Sequence, residues 1–239
     1  MAEAFLKVSG VSKHFGGFTA LADVSIEIAR GERFGLIGPN GSGKTTLINC
    51  VSGLLRNDSG SIVFDGHDVS RLPAFERTRR GIARSFQVPR PFHTMTVLEN
   101  LLVPSAYVVH LADSEGEERA MELLRGMGLA AKAHAHAREL SQVELRKLEL
   151  ARAMAAKPKL LISDEAMAGL SGAEVDEVLA ILFKLNESGI TIIMIEHIMQ
   201  AVMRFSQRVI CLDAGRIICE GTPAAIVQNP DVQKAYLGA

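Results

Sequence analysis

The 239-residue sequence contains no tryptophan, only two tyrosines and three cysteines, and almost no net charge. Each scarcity removes a class of protein. Cys50, Cys211 and Cys219 lie among small or apolar neighbours and form no CxxC pair. That excludes a disulfide framework or a zinc ribbon and reads as buried thiols in a reducing compartment. The 26 basic and 27 acidic residues leave a formal charge of −1, so there is no global basic field for nucleic acid or anionic lipid. The one basic run, Arg77-Thr78-Arg79-Arg80, reads as a solvated helix end. No apolar stretch reaches the roughly 18–20 residues that cross a bilayer. Met1 to Phe5 lacks the basic and apolar regions of a signal peptide. The expectation is a soluble, cytoplasmic chain that meets the inner face of a membrane peripherally, through a partner. Internal repeats and low-complexity linkers are also missing.

Hydrophobic residues make up 48% and charged residues 22%, the profile of a folded globular protein. Phe5 to Val8 and Val24 to Ile28 alternate like half-exposed antiparallel strands. Arg33 to Ile37 is almost wholly apolar, as a buried central strand is. Gly60 to Gly66 reads as a further strand. From about Pro89 to Lys157 the pattern is helical. Strand–helix alternation then resumes: a strand at Leu160 to Ser163, a helix at Ala173 to Asn186, a strand at Thr191 to Ile195 and a helix at His197 to Arg204. A hairpin turning at Asp213 to Arg216 follows. The expected fold is α/β with a mostly parallel central sheet, an N-terminal antiparallel β subdomain and an inserted α-helical subdomain. Residues 1–88 and 158–239 would form the core and 89–157 the helical insert.

Gly38-Pro39-Asn40-Gly41-Ser42-Gly43-Lys44-Thr45 matches G-x-x-x-x-G-K-[ST], with a buried strand before it and a helix after it. Glycines let backbone N–H groups curl around phosphate oxygens, and the helix start adds its positive dipole end. Lys44 would neutralise the β- and γ-phosphates and Thr45 would offer a hydroxyl to Mg²⁺. Thr46 completes the predicted nucleotide-binding set.

Leu160-Leu161-Ile162-Ser163-Asp164-Glu165 places two acids at the end of an apolar strand, where α/β sheets present ligands. Asp164 would hold Mg²⁺, and Glu165 would polarise the attacking water. His197 follows the next strand, within reach of the presumed γ-phosphate.

The order of these motifs resembles the ABC ATPases. The resemblance covers nearly the whole chain and implies ATP and Mg²⁺ as ligands. Phe15 sits where such ATPases stack an aromatic on adenine. Gln87, in Arg84-Ser85-Phe86-Gln87, corresponds to the glutamine that senses Mg²⁺ and the γ-phosphate. Ala168 to Ser171 corresponds to the D-loop and His197 to the switch histidine. Gly81-Ile82-Ala83-Arg84-Ser85-Phe86-Gln87, Met95-Thr96-Val97-Leu98-Glu99-Asn100, Ile195-Glu196-His197 and the ending Ala235-Tyr236-Leu237-Gly238 are similar to ATPases of branched-chain amino acid importers, a group that includes importers of amides such as urea.

One departure carries physical weight. The family signature L-S-G-G-Q is here Leu140-Ser141-Gln142-Val143-Glu144. In the family this stretch caps the γ-phosphate bound by a second subunit, and its glycines permit close backbone approach. Val143 adds bulk and Glu144 adds negative charge, which implies a poor cap and favours a heterodimer with a second ABC ATPase, docked on transmembrane permease subunits. Ala166, where the family usually has proline, is expected only to loosen a turn. Two other readings use the same motifs: a soluble non-transport ABC ATPase, and a weakly hydrolysing regulatory subunit. The chain has neither fused cassettes nor a coiled-coil insert, and it keeps Glu165 and His197.

Overall fold

A computed structural model describes residues 4–86 and 88–237. The N-terminal part is a four-stranded antiparallel sheet, order β2-β1-β4-β5, built from β1 (Leu6–Phe15), β2 (Phe18–Ile28), β4 (Ser59–Phe64) and β5 (His67–Asp68). Its inward residues Leu6, Val8, Ile26 and Ile28 are buried while Lys7 and Glu27 between them face solvent, the alternation of a sheet with one wet face.

The central sheet has six strands in the order β10-β9-β3-β8-β7-β6. They are β3 (Arg33–Ile37), β6 (Ile82–Ser85), β7 (Leu160–Asp164), β8 (Thr191–Ile195), β9 (Arg208–Asp213) and β10 (Arg216–Gly221). All neighbours pair in parallel except the closing hairpin β9–β10. In β8, Ile193 and Ile195 enter the core shared with the antiparallel sheet, and Ile192 and Met194 enter the core shared with the helices. Burial on both faces explains the unbroken apolar runs.

Nine α-helices surround these sheets among the described residues: α1 (Lys44–Ser52), α2 (Ala74–Arg80), α3 (Val97–Pro104), α4 (Asp113–Gly126), α5 (Gln142–Ala155), α6 (Gly172–Glu187), α7 (Met199–Phe205), α8 (Pro223–Gln228) and α9 (Pro230–Leu237). α3, α4 and α5 pack on one another through Leu98, Leu101, Leu124 and Leu148. α3 opens on a full capping box: Thr96 accepts from the Glu99 N–H, and the Glu99 carboxylate accepts from the Thr96 N–H.

The basic run differs from its sequence reading. Arg79 and Arg80 are exposed, but Arg77 is 1% exposed. Its guanidinium donates to the carbonyls of Cys50, Val51, Ser70 and Leu72. A buried cation thus satisfies the orphan carbonyls at the end of α1, a favourable placement at a helix C-terminus. The three cysteines are free thiols, with Cys50 and Cys211 buried. No described helix is long and apolar enough to cross a membrane.

Candidate active site

The site lies at the C-terminal ends of β3, β7 and β8. β3 releases the chain at Ile37 into the Gly38–Gly43 loop, and α1 begins at Lys44. Gly43, the residue before α1, has φ 106°, a left-handed conformation costly for any side chain, and no side chain caps the helix. No acid stands in its first turn. The first N–H groups of α1 therefore face outward with their dipole unopposed, as an anion seat requires. Lys44 is buried, and its Nζ donates to the carbonyls of Gly38 (2.7 Å) and Pro39 (2.9 Å). Burial pulls its pKa down, while Glu165, Cys211 and Asp164 push it up.

Glu165 follows β7 with φ 47°, in the left-handed region that non-glycine residues seldom occupy. Its N–H donates to the Ile195 carbonyl (2.8 Å), which ties the end of β7 to the end of β8. Such strain, on the order of 1–3 kcal/mol, clusters at functional sites. Its carboxylate meets His197 Nε2 at 2.8 Å. One cleft brings together Phe15, Asn40, Gly41, Ser42, Gly43, Lys44, Thr45, Thr46, Glu165 and His197. Most of the predicted nucleotide and catalytic residues thus face one space.

Gly38 and Pro39 do not line this cleft, and their carbonyls accept from Lys44 Nζ behind it. Asp164 is 5% exposed and paired with Arg84 Nη2, while Arg84 Nη1 donates to Asn49 (2.6 Å). Gln87 and Gly238 lie outside the described residues. Ser141, Gln142, Val143 and Glu144 stand apart from the cleft. Val143 turns inward against the helical core. Glu144 closes a capping box at the start of α5: it accepts from the Ser141 N–H (2.8 Å), and Ser141 Oγ accepts from the Glu144 N–H (3.4 Å). Lys132 Nζ pairs with the same carboxylate at 2.7 Å and lowers its pKa. Gln142 Nε2 (3.5 Å) and Arg146 Nη2 (3.2 Å) both donate to the Ala168 carbonyl, so signature and D-loop touch within one chain.

Three neighbours of the site carry no role in the sequence reading. Phe18, 63% exposed, pairs across the Gly16-Gly17 turn with Phe15, itself 48% exposed, and lines the same cleft. Hairpin pairing across two glycines was a readable signal. Arg84 lies within the Gly81–Gln87 motif, but only the pairing of β6 with β7 puts it beside Asp164. Glu196 is 2% exposed and accepts from the Met167 N–H (2.9 Å); burial pushes its pKa up to about 7.

A glycine-wrapped helix start, a buried lysine, and an acid pair at the end of β7, separated from β3 by β8 in the same sheet, define a nucleoside-triphosphate-hydrolysing P-loop protein. The chain belongs to the ABC transporter family: the model of that family matches residues 21–168, and a model described as branched-chain amino acid ATP-binding cassette transporter matches residues 216–239. As a member it is an ATP-binding cassette and an ATPase. The chain is 37% identical to the high-affinity branched-chain amino acid transport ATP-binding protein BraF of Pseudomonas aeruginosa, covering 100% of this chain and 99% of that one. It is 38% identical to the probable branched-chain amino acid transport ATP-binding protein LivG of Archaeoglobus fulgidus, covering 98% and 95%. Among solved structures, the ADP conformation of an ATP-binding cassette of an ABC transporter superposes with TM-score 0.91 at 32% identity, covering 100% of both chains. A dimeric cassette in a post-hydrolysis state bound to ADP and Pi superposes with TM-score 0.83 at 27% identity, covering 91% of this chain and 98% of that one.

Proposed function

We propose that this cassette hydrolyses ATP to drive an importer of branched-chain amino acids or related small solutes, working as one half of an asymmetric pair docked on permease subunits at the inner face of the membrane. The observation that carries the hydrolytic reading is the Glu165–His197 hydrogen bond, set at the rim of the phosphate cradle. The names of the full-length relatives support the solute class.

Lys44 leaves the carbonyls of Gly38 and Pro39 to meet the β- and γ-phosphates, and the open N–H groups of α1 take the remaining phosphate charge. Phe15 and Phe18 flank the adenine. Glu165 orients water and receives its proton, and His197 fixes the rotamer of Glu165. Thr45, Asp164 and Gln87 would hold Mg²⁺; one hydroxyl, one buried carboxylate and one amide beside substrate phosphates suit that hard cation. The chemistry such a cation would supply is charge stabilisation on the phosphoryl group.

The asymmetric pairing rests on the start of α5, where a reciprocal cap takes up the N–H groups of Ser141 and Glu144 and holds a carboxylate at the end a partner's γ-phosphate would approach. The good composite site then uses this chain's Lys44, Asp164 and Glu165 with the partner's signature. An apolar groove lined by Leu54, Phe86, Phe92, Pro104 and Tyr107 lies between the central sheet and α3, adjoining Pro89 to His93. It receives a short helix of the permease.

The test is steady-state ATPase activity of the purified chain, alone and co-expressed with its partner subunits, beside a Glu165→Gln control. Activity that needs the partners and vanishes in the control is the expected result. Tight ATP binding with no turnover in any assembly would overturn the hydrolytic reading. Uptake of radiolabelled leucine into proteoliposomes holding the complex tests the solute class.

A further inference from the structure

The loop that lines the cleft is also held by a residue of the C-terminal helix. Strand pairing ends where Ile37 faces Cys211. The next N–H, that of Gly38, leaves the ladder and donates to the hydroxyl of Tyr236 at 2.8 Å. Gly38 leaves no room for adjustment, because a Cβ there would lie 2.2 Å from the Leu212 carbonyl oxygen. Tyr236 sits on α9, which is seated through Val232, 4% exposed, beside Ile226 of α8, fully buried. Burial raises the pKa of the phenol, so it remains a neutral hydroxyl.

The contact matters most after nucleotide arrives. In the free chain Lys44 also grips the loop, through the carbonyls of Gly38 and Pro39. A lysine that turns to the phosphates gives up both bonds. The Tyr236 hydroxyl is then the side-chain anchor that stays on the first residue of the loop.

We propose that Tyr236 is a positioning residue for nucleotide binding: its hydroxyl fixes the Gly38 N–H, and through it the C-terminal helix sets the fit of the phosphate loop. A hydrogen bond of this kind contributes on the order of a two- to tenfold effect when its partner stays in place. Removing it should weaken the bound state more than the free one, where Lys44 shares the task.

The test is Tyr236→Phe in the full chain. MgADP binding is measured by calorimetry and ATPase kinetics in the complex with partner subunits. Expected is a rise in Kd and KM of about two- to tenfold with kcat within about twofold. The MgADP-bound protein should lose more melting temperature than the free protein. Unchanged Kd and KM beside a lowered melting temperature of the free protein would overturn the proposal and leave Tyr236 as a docking residue for the tail. Amide hydrogen exchange at Gly38 in the wild-type protein tests the anchor even if the variant fails to fold. Protection that persists with MgADP bound supports the anchor, and protection lost on binding refutes it.

Discussion

Two helix starts in this chain carry opposite instructions. α1 begins after a left-handed glycine, with no capping side chain and no acid in its first turn. α5 begins with a serine–glutamate capping box and a lysine paired to the glutamate. Both ends expose the same backbone chemistry, four N–H groups and a positive dipole end. One carries no cap; at the other the chain itself takes up the N–H groups of Ser141 and Glu144. A P-loop is therefore defined as much by the cap it omits as by the residues it contains. The altered signature is equally a helix start stabilised by its own carboxylate and a paired lysine.

The largest effect should come from breaking the open side. Glu165→Gln keeps the shape of the side chain and removes the proton acceptor. Loss of a positioned base costs about 10²–10⁴-fold. ATP hydrolysis by the assembled complex should fall by that factor, with MgADP affinity held within a few-fold. A tenfold loss or less would mean that hydrolysis proceeds mainly at the other composite site, and that this chain's open helix start serves binding alone.

Glu196 sits between the two regions, bonded to Met167 beside the D-loop and influenced by Glu165, Arg146 and Asp164. Burial raises its pKa from 4.5 to about 7. Between those values the folded chain holds a proton that the unfolded chain has lost, so stability should fall as pH rises through that window. The full shift corresponds to about 3 kcal/mol at most. Denaturant melts from pH 4.5 to 7.5 should therefore slope less in Glu196→Gln than in the parent, with the variant more stable at the upper end. Parallel slopes would place the Glu196 carboxyl in a wetter site than its 2% exposure implies.

How legible each region was depended on distance along the chain. The phosphate loop could be read because its chemistry is written in consecutive residues, and the acid pair because β7 is an apolar run ending in Asp164-Glu165. The Arg84–Asp164 pair spans 80 residues and the Tyr236–Gly38 bond 198, and no local pattern announces either. Arg77 eludes a local reading for the same reason: a basic run looks solvated until α1 places its last carbonyls beside it. The helices α8 and α9 could have been anticipated. Thr222-Pro223 and Asn229-Pro230 are capping residues followed by proline at the first helical position. At the signature, the absent glycines are plain in the sequence, but Glu144 reads there as loose negative charge. The structure makes it a cap with a paired lysine.

Converting the closed helix start into an open one sharpens the comparison. Gln142→Gly with Val143→Gly puts two glycines in the first turn of α5 and removes a half-buried valine from the helical core. Stability should fall by about 1–2 kcal/mol, read from denaturant midpoints. ATPase activity of the complex should rise, because a second composite site gains a phosphate cap. A stability loss with unchanged turnover would show that the signature of this chain does not limit the cycle, and the asymmetric pairing would lose its support.

The smallest effect separates the two things Glu144 does. It accepts the Ser141 N–H and it pairs with Lys132, which is 45% exposed in its side chain. Exposed ion pairs contribute about 0–1 kcal/mol, whereas a reciprocal cap at a helix start contributes about 1 kcal/mol. Lys132→Gln should therefore cost less than about 0.5 kcal/mol and lose even that in high salt. Glu144→Gln retains the side-chain carbonyl that can accept from Ser141, so most of the cap survives. Glu144→Ala removes both contacts and should cost most of the three. A double-mutant cycle with Lys132→Gln then yields the pair alone. A coupling above about 1 kcal/mol would make the lysine, rather than the cap, the group that keeps the carboxylate at the start of α5. Reopening that seat would then require changing Lys132 as well as restoring the glycines.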